Sequence, residues 1–330
     1  MLRSRCESSE FPRVDRWCYA SGRGQAKGAI LQEETVGAVE WPTLLLLGAT
    51  YAVWALGTTW LAVWSLPLAI LVTGVAIAQF SSLQHEVLHG HPFRNATLNH
   101  ALVFPALSPF IPFLRFRQTH LAHHHDPILT DPYDDPESNF QDPAVWARMP
   151  RWLRTVFRLN NTLLGRMLIG PVLGTALFLQ GDIRLLRAGD GAVARAWRLH
   201  LGGVGLLLLW LWGVGAMPLW GYLLATYVGY GLLKIRTYLE HRAHEKPRAR
   251  TVIIEDRGPL ALLFLNNNLH VVHHQHPAVP WYRLPALYAE GRARFLACNE
   301  SYVYRSYAQI FRAHFVKAKD PVPHPLFRGR

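Results

Sequence analysis

An all-α integral membrane protein, with four transmembrane helices in two hairpins and a cytoplasmic helical cap holding its histidines, is the fold that the sequence predicts. Three observations predict it. Two long runs carry no Asp, Glu, Lys or Arg: 44 residues from Trp41 to Gln84 and 35 from Leu199 to Leu233. The 34 Lys+Arg against 22 Asp+Glu leave a net charge of +12, and the basic residues crowd the stretches that flank those runs. Of the 17 histidines, 13 fall in four short segments, 85–91, 120–125, 241–244 and 270–276.

The composition excludes several classes. Only 17% of the residues are charged and 50% are hydrophobic, whereas a soluble domain carries roughly a quarter charged residues. A cytosolic globule is therefore argued against, and a chain this rich in apolar side chains is not intrinsically disordered. Cys6, Cys18 and Cys298 form no CxxC pair, which leaves no Cys-bound zinc or iron–sulfur centre and no disulfide scaffold.

Taken in chain order, residues 1–35 are polar and read as a mobile tail with no cleaved targeting signal, and residues 36–330 form one membrane domain. A span needs about 20 residues, so the first uncharged run holds two, at about 43–63 and 67–88, joined by a turn near Ser65 and Pro67. Residues 97–114 are apolar but contain Pro105, Pro109 and Pro112, which break a helix repeatedly. A re-entrant or interfacial segment is expected there, with its irregular backbone sheltered by other helices. Residues Arg166 to Leu186 read as an interfacial helix pair. The second run supplies spans at about 199–215 and 218–240, broken at Gly213 to Pro218. Both turns lack Lys and Arg, so the termini and all four histidine segments are expected on the cytoplasmic side. Trp54, Trp60, Trp64, Trp210, Trp212 and Trp220 are expected near the far interface. The segment from about residue 280 onward is expected to pack on the cap.

Helical geometry sorts the histidines, because residues at i, i+3 and i+4 share a face. His85 and His89 are co-facial, as are His120, His123 and His124, and again His270, His273 and His274. His241 ends the last span and makes nine imidazoles on one membrane face. One metal cannot use so many ligands, and nine divide between two metals with four or five each. Imidazole-rich, carboxylate-poor coordination suits iron better than hard cations, so a dinuclear iron centre at the membrane edge is inferred. Glu86, Asp126 and Glu240 adjoin the ligands and are placed to orient them. Asn266 stands one turn before His270 as a candidate for a direct or water-mediated contact. His91, His125, His244 and His276 are either partners of the ligands or surface residues. His100, His200, His314 and His324 stand alone and read as structural or solvated. The run from Asp126 to Glu137 reads as a structured cap or lid rather than a cation site.

At His85-Glu-Val-Leu-His89, His120-Leu-Ala-His123-His124 and Asn266-Asn-Asn-Leu-His270-Val-Val-His273-His274 the sequence resembles the integral-membrane fatty acid desaturase superfamily, over about residues 40–285. That superfamily also includes membrane hydroxylases, alkane monooxygenases and carotenoid ketolases. The resemblance implies two iron ions held by His85, His89, His120, His123, His124, His270, His273 and His274, with His241 as the ligand from the fourth helix and Asn266 near a metal-bound water. No catalytic side chain beyond the ligands is implied. The implied reaction uses O₂ and two electrons to abstract hydrogen from an unactivated C–H bond of a lipid or fatty-acyl chain, leaving a double bond. Hydroxylation or ketolation of a lipid, alkane or carotenoid is the alternative. A non-enzymatic metal transporter is disfavoured, because transporters place ionisable groups near mid-membrane. No flavin, nicotinamide or haem module is recognisable, so electrons are expected from a separate ferredoxin or cytochrome, drawn with anionic lipid to the basic face. A nucleic-acid partner is not expected, and a bacterial inner membrane is the expected location.

Overall fold

The computed structural model describes residues 39–329, apart from the Asp126 side chain. The expected tail of residues 1–35 thus lies outside the described residues. Helix α1 (Trp41–Thr58) continues after a break at Thr59 into α2 (Trp60–Trp64), and α3 (Leu66–Leu88) returns antiparallel to them. Then follow α4 (Ala96–Leu102), α5 (Phe113–His123), α6 (Pro143–Arg148), α7 (Arg151–Asn160), α8 (Leu163–Leu168) and α9 (Gly170–Arg187). The second hairpin is α10 (Gly191–Gly213) and α11 (Leu219–Thr237). The remainder comprises α12 (Pro259–Leu263), α13 (His270–Gln275), α14 (Leu284–Cys298) and α15 (Tyr307–His314), with one parallel pair of two-residue strands, β1 (Ile253–Ile254) and β2 (Val303–Tyr304).

Three helices are long and apolar enough to cross a membrane: Trp41–Trp64, Leu66–Leu88 and Gly191–Gly213. The fourth expected span differs, because α11 stops at Thr237 and carries Lys234 and Arg236 in its last turn. Glu240 and His241 therefore lie beyond the helix, where His241 bridges to Thr251. Large apolar side chains such as Leu45, Val63, Leu71, Leu201, Leu209 and Trp212 stand exposed along these helices, as surfaces facing lipid rather than water would. Trp54 and Trp210 turn inward from these helices. Trp54 is buried and Trp210 half-buried, their indole N–H groups donating to Tyr222 Oη and Thr58 Oγ1, each at 3.0 Å.

Helix α3 is the centre of the bundle, with α11 packed closely along it. A Cβ at Gly229 would lie 2.7 Å from Gly74 O, and one at Gly74 would lie 2.9 Å from Ala225 O, so these two backbones meet only because both positions are glycine. Between α4 and α5 the three prolines keep residues 103–112 irregular, as expected. Neighbouring helices supply donors to this segment: Tyr51 Oη donates to Leu102 O and Tyr222 Oη to Leu107 O, each at 2.6 Å, and His200 Nε2 to Pro109 O at 3.0 Å. Three carbonyls in and beside this irregular backbone thus have donors from neighbouring helices, as non-helical backbone sheltered by protein needs. Helix α5 is fixed by a buried ion pair, Arg115 Nη2 to Asp182 Oδ1 of α9 at 2.8 Å. The C-terminal segment returns to the end of the bundle that bears His241, where Gln141 N donates to Val322 O at 2.9 Å and Lys319 Nζ to His241 O at 2.6 Å.

Candidate metal centre

Four elements converge at one end of the bundle. The last turn of α3 presents His85 with His89 at its cap, α5 presents His120, His123 and His124, the loop after α11 presents His241, and α13 presents His270, His273 and His274. The structure gathers all nine into two adjoining groups, His85, His89, His120, His124 and His273 in one, and His123, His241, His270 and His274 in the other. Within each group the nitrogens available as ligands lie within 4.8 Å of one another. The three-residue boxes do not each serve one group. His120 and His124, separated by 40° around α5, face the first group, while His123, a further 100° step away, faces the second.

The ring nitrogens point at each other at short range. Nε2 of His123 lies 2.8 Å from Nε2 of His241, Nε2 of His124 lies 2.9 Å from that of His120 and 3.1 Å from that of His273, and His270 Nε2 lies 3.2 Å from His241 Nε2. On the far side of three rings stand acceptors that decide the tautomer. His120 Nδ1 donates to Glu137 Oε1 at 3.0 Å, His123 Nδ1 to Asp135 Oδ1 at 2.7 Å, and His270 Nδ1 to Asn267 Oδ1 at 2.9 Å. With Nδ1 holding the proton, the Nε2 lone pair is turned inward. His85 Nε2 and His89 Nε2 are buried and have no hydrogen-bond partner among the described residues. Inward lone pairs and orphaned nitrogens fit metal ions that favour imidazole.

Electrostatics agree with this. Burial, followed by the neighbouring imidazoles, holds His124, His241, His270 and His273 well below the ordinary histidine range, so they stay neutral and able to ligate. His89 is pushed down to about 2, chiefly by burial. His123 goes the other way: burial opposes the charged form, but Glu137 and Asp135 together carry it up to about 9. Burial would raise Glu137, yet His120 and His123 hold it well below the usual carboxylate range. The site thus places two carboxylates beside the rings of His120 and His123, where their negative charge suits a bound cation.

The other expected residues divide. Glu240 lies behind the ligands, since Asn267 Nδ2 donates to its Oε1 at 3.2 Å while Asn267 Oδ1 takes the His270 proton. Asn266 is turned away from the histidines, its Nδ2 donating to Trp281 O at 3.0 Å. The neighbour Asn267 does the orienting instead, because Leu265 and Asn266 have φ of +52° and +54° and the stretch before His270 is not helical. Glu86 accepts the Trp281 N–H at 3.1 Å, and its Oε1 lies 3.9 Å from His85 Nδ1, too far for a hydrogen bond. His125 is exposed and His244 reaches Glu300 at 3.3 Å, so neither joins the two groups. The Asp126 side chain lies outside the described residues. Asp135 and Glu137, expected only as part of a cap, are the acceptors that sequence reasoning missed. Their one signal was an acidic, proline-broken run directly after a histidine box.

Comparison with known proteins follows the same residues. The family described as Fatty acid desaturase matches residues 58–307. A beta-carotene ketolase from Paracoccus sp. (strain N81106 / MBIC 01143) is 27% identical over 241 residues, which cover 72% of this chain and 78% of that protein. The family match takes in all nine converging histidines and the helices that carry them, and the chain belongs to the fatty acid desaturase family of membrane oxidoreductases.

Proposed function

We propose that the protein is an O₂-dependent desaturase that introduces a double bond into an alkyl chain of a membrane lipid or fatty acid, with one iron ion in each histidine group. The observation that carries this reading is that two imidazole groups adjoin one another beside a cavity whose walls include Ile111, Phe116, Leu177 and Phe178. When bound, a pair of irons supplies the oxidising power that no side chain has, letting O₂, two electrons and two protons remove two hydrogens from –CH₂–CH₂– and leave –CH=CH– and two waters. The chain's own residues do the rest. Asp135, Glu137 and Asn267 hold three ligands in one tautomer, and the apolar wall excludes water and positions the chain.

The electrons come from a separate acidic carrier attracted to a chain of net charge +12. In the membrane α11 is the fourth span, and the histidines and termini face the cytoplasm, a reading supported by the absence of Lys and Arg from both inter-helix turns. A bacterial inner membrane suits this arrangement.

Ketolation or hydroxylation is the second reading, favoured by the similarity to the Paracoccus ketolase. Metal analysis of the purified protein, with mass spectrometry of lipids from cells with and without it, tests both. Two irons per chain and loss of two hydrogens from a lipid are expected. A gain of oxygen selects the second reading, and zinc without iron overturns both.

A further inference from the structure

Buried cations in this fold have carboxylate partners close by. Arg115 has Asp182 at 2.8 Å and Arg236 has Glu240 at 3.0 Å. The buried Arg166 and the half-buried Lys234 do not, and both line the cavity of about 470 Å³ that His123 and His241 also line. Arg166 is 5% exposed. Its Nε donates to Asn160 O at 2.9 Å and its Nη1 to Asn139 Oδ1, both uncharged acceptors. Lys234 lies against α9, where a Cβ at Gly174 would come 3.3 Å from its Nζ and one at Gly170 would come 3.3 Å from its Cγ. Two glycines one helical turn apart leave the room in which the lysine side chain lies. Among the described residues neither cation has a carboxylate oxygen within 4.0 Å. Glu137 and Glu240 act on Lys234 from a distance, but they are engaged by His120 and Arg236. Two such charges in one partly apolar cavity repel each other and are costly to desolvate, unless an anion arrives to pair with them.

We propose that Arg166 and Lys234 bind the anionic oxygen end of the substrate, so that the chain oxidised here ends in a carboxylate or a phosphate. This rests on reading the cavity as the substrate site. It assigns the substrate to an anion-headed chain, as distinct from a neutral hydrocarbon such as the carotene in the name of the Paracoccus relative. Lys234 belongs to α11 whereas His241 lies beyond the end of that helix, and both line the cavity, so the carbon presented to the histidines is apart from the anchored end.

The test is equilibrium binding to the purified, metal-loaded protein in a non-ionic detergent, with palmitate, hexadecanol and the lysophosphatidic acid of the same chain length as probes. Palmitate is expected to bind at least about tenfold more tightly than hexadecanol, a preference abolished in Lys234→Met and kept in Lys234→Arg. Tighter binding of lysophosphatidic acid than of palmitate identifies a phosphate-headed lipid as the source of the anion, and the reverse order identifies a free acid. Equal binding of acid and alcohol, or a preference that survives Lys234→Met, overturns the assignment. Iron is measured in the same samples. Iron without an acid preference removes this inference alone, whereas an acid preference without iron keeps the anion site and removes the proposed reaction.

Discussion

Asp135 is a buried carboxylate whose two oxygens serve three groups, the His123 ring and the backbone N–H groups of Thr130 and Glu137. An amide in its place has only one acceptor oxygen and cannot satisfy all three. Asp135→Asn is therefore expected to weaken metal binding by about 10- to 100-fold while the protein still inserts in the membrane, as measured by competition with a chelator. Asn266→Ala, one residue from the asparagine that orients His270, is expected to change that affinity by less than about twofold. The contrast marks what could be read from the chain alone. Histidines at i, i+3 and i+4 announce a shared helical side, and all nine expected imidazoles converge. Asp135, Glu137 and Asn267 reach them through loops, where no period connects position to direction. Asn266 bonds Trp281 O instead of a histidine, because residues 264–269 lie between α12 and α13 and the helical period does not extend backward across them.

Helices α3 and α11 are held at backbone contact, so their packing tolerates no added methyl group. Gly229→Ala is expected to destabilise the protein by about 1–3 kcal/mol, because the Gly74 carbonyl it meets is itself fixed in a helix. Gly48→Ala, with nothing within 4 Å of the new Cβ, is expected to be neutral or stabilising. Thermal midpoints in detergent compare the two variants directly. At this scale the hairpins and the proline-broken segment were legible, since uncharged length and missing N–H donors are local properties. The supports of that segment were not. Tyr51, Tyr222 and His200 are isolated polar residues on apolar helices, and what they bond becomes visible only when the helices assemble.

For the molecule as a whole, the proposed placement of both turns on the far side of the membrane is open to labelling. In a background with Cys6, Cys18 and Cys298 replaced by Ala, Val214→Cys is expected to react with an impermeant maleimide in intact cells, and Arg248→Cys only after lysis. The opposite pattern would invert the topology. Helix α11 links the turn to the histidine end. The turn before it is tied to Thr58 O through the Ala216 and Met217 N–H groups at 2.8 and 3.0 Å, Tyr222 props the irregular segment, Lys234 enters the cavity, and His241 follows its end. Its 19 residues amount to about 28 Å of rise. The helix is thus a ruler with a thread: one residue inserted before Lys234 would move the histidine end by about 1.5 Å and also turn it by about 100°. The distance from the far turn to the histidines can therefore be altered in whole helical turns, or by changing the loops, but not by a single residue in between.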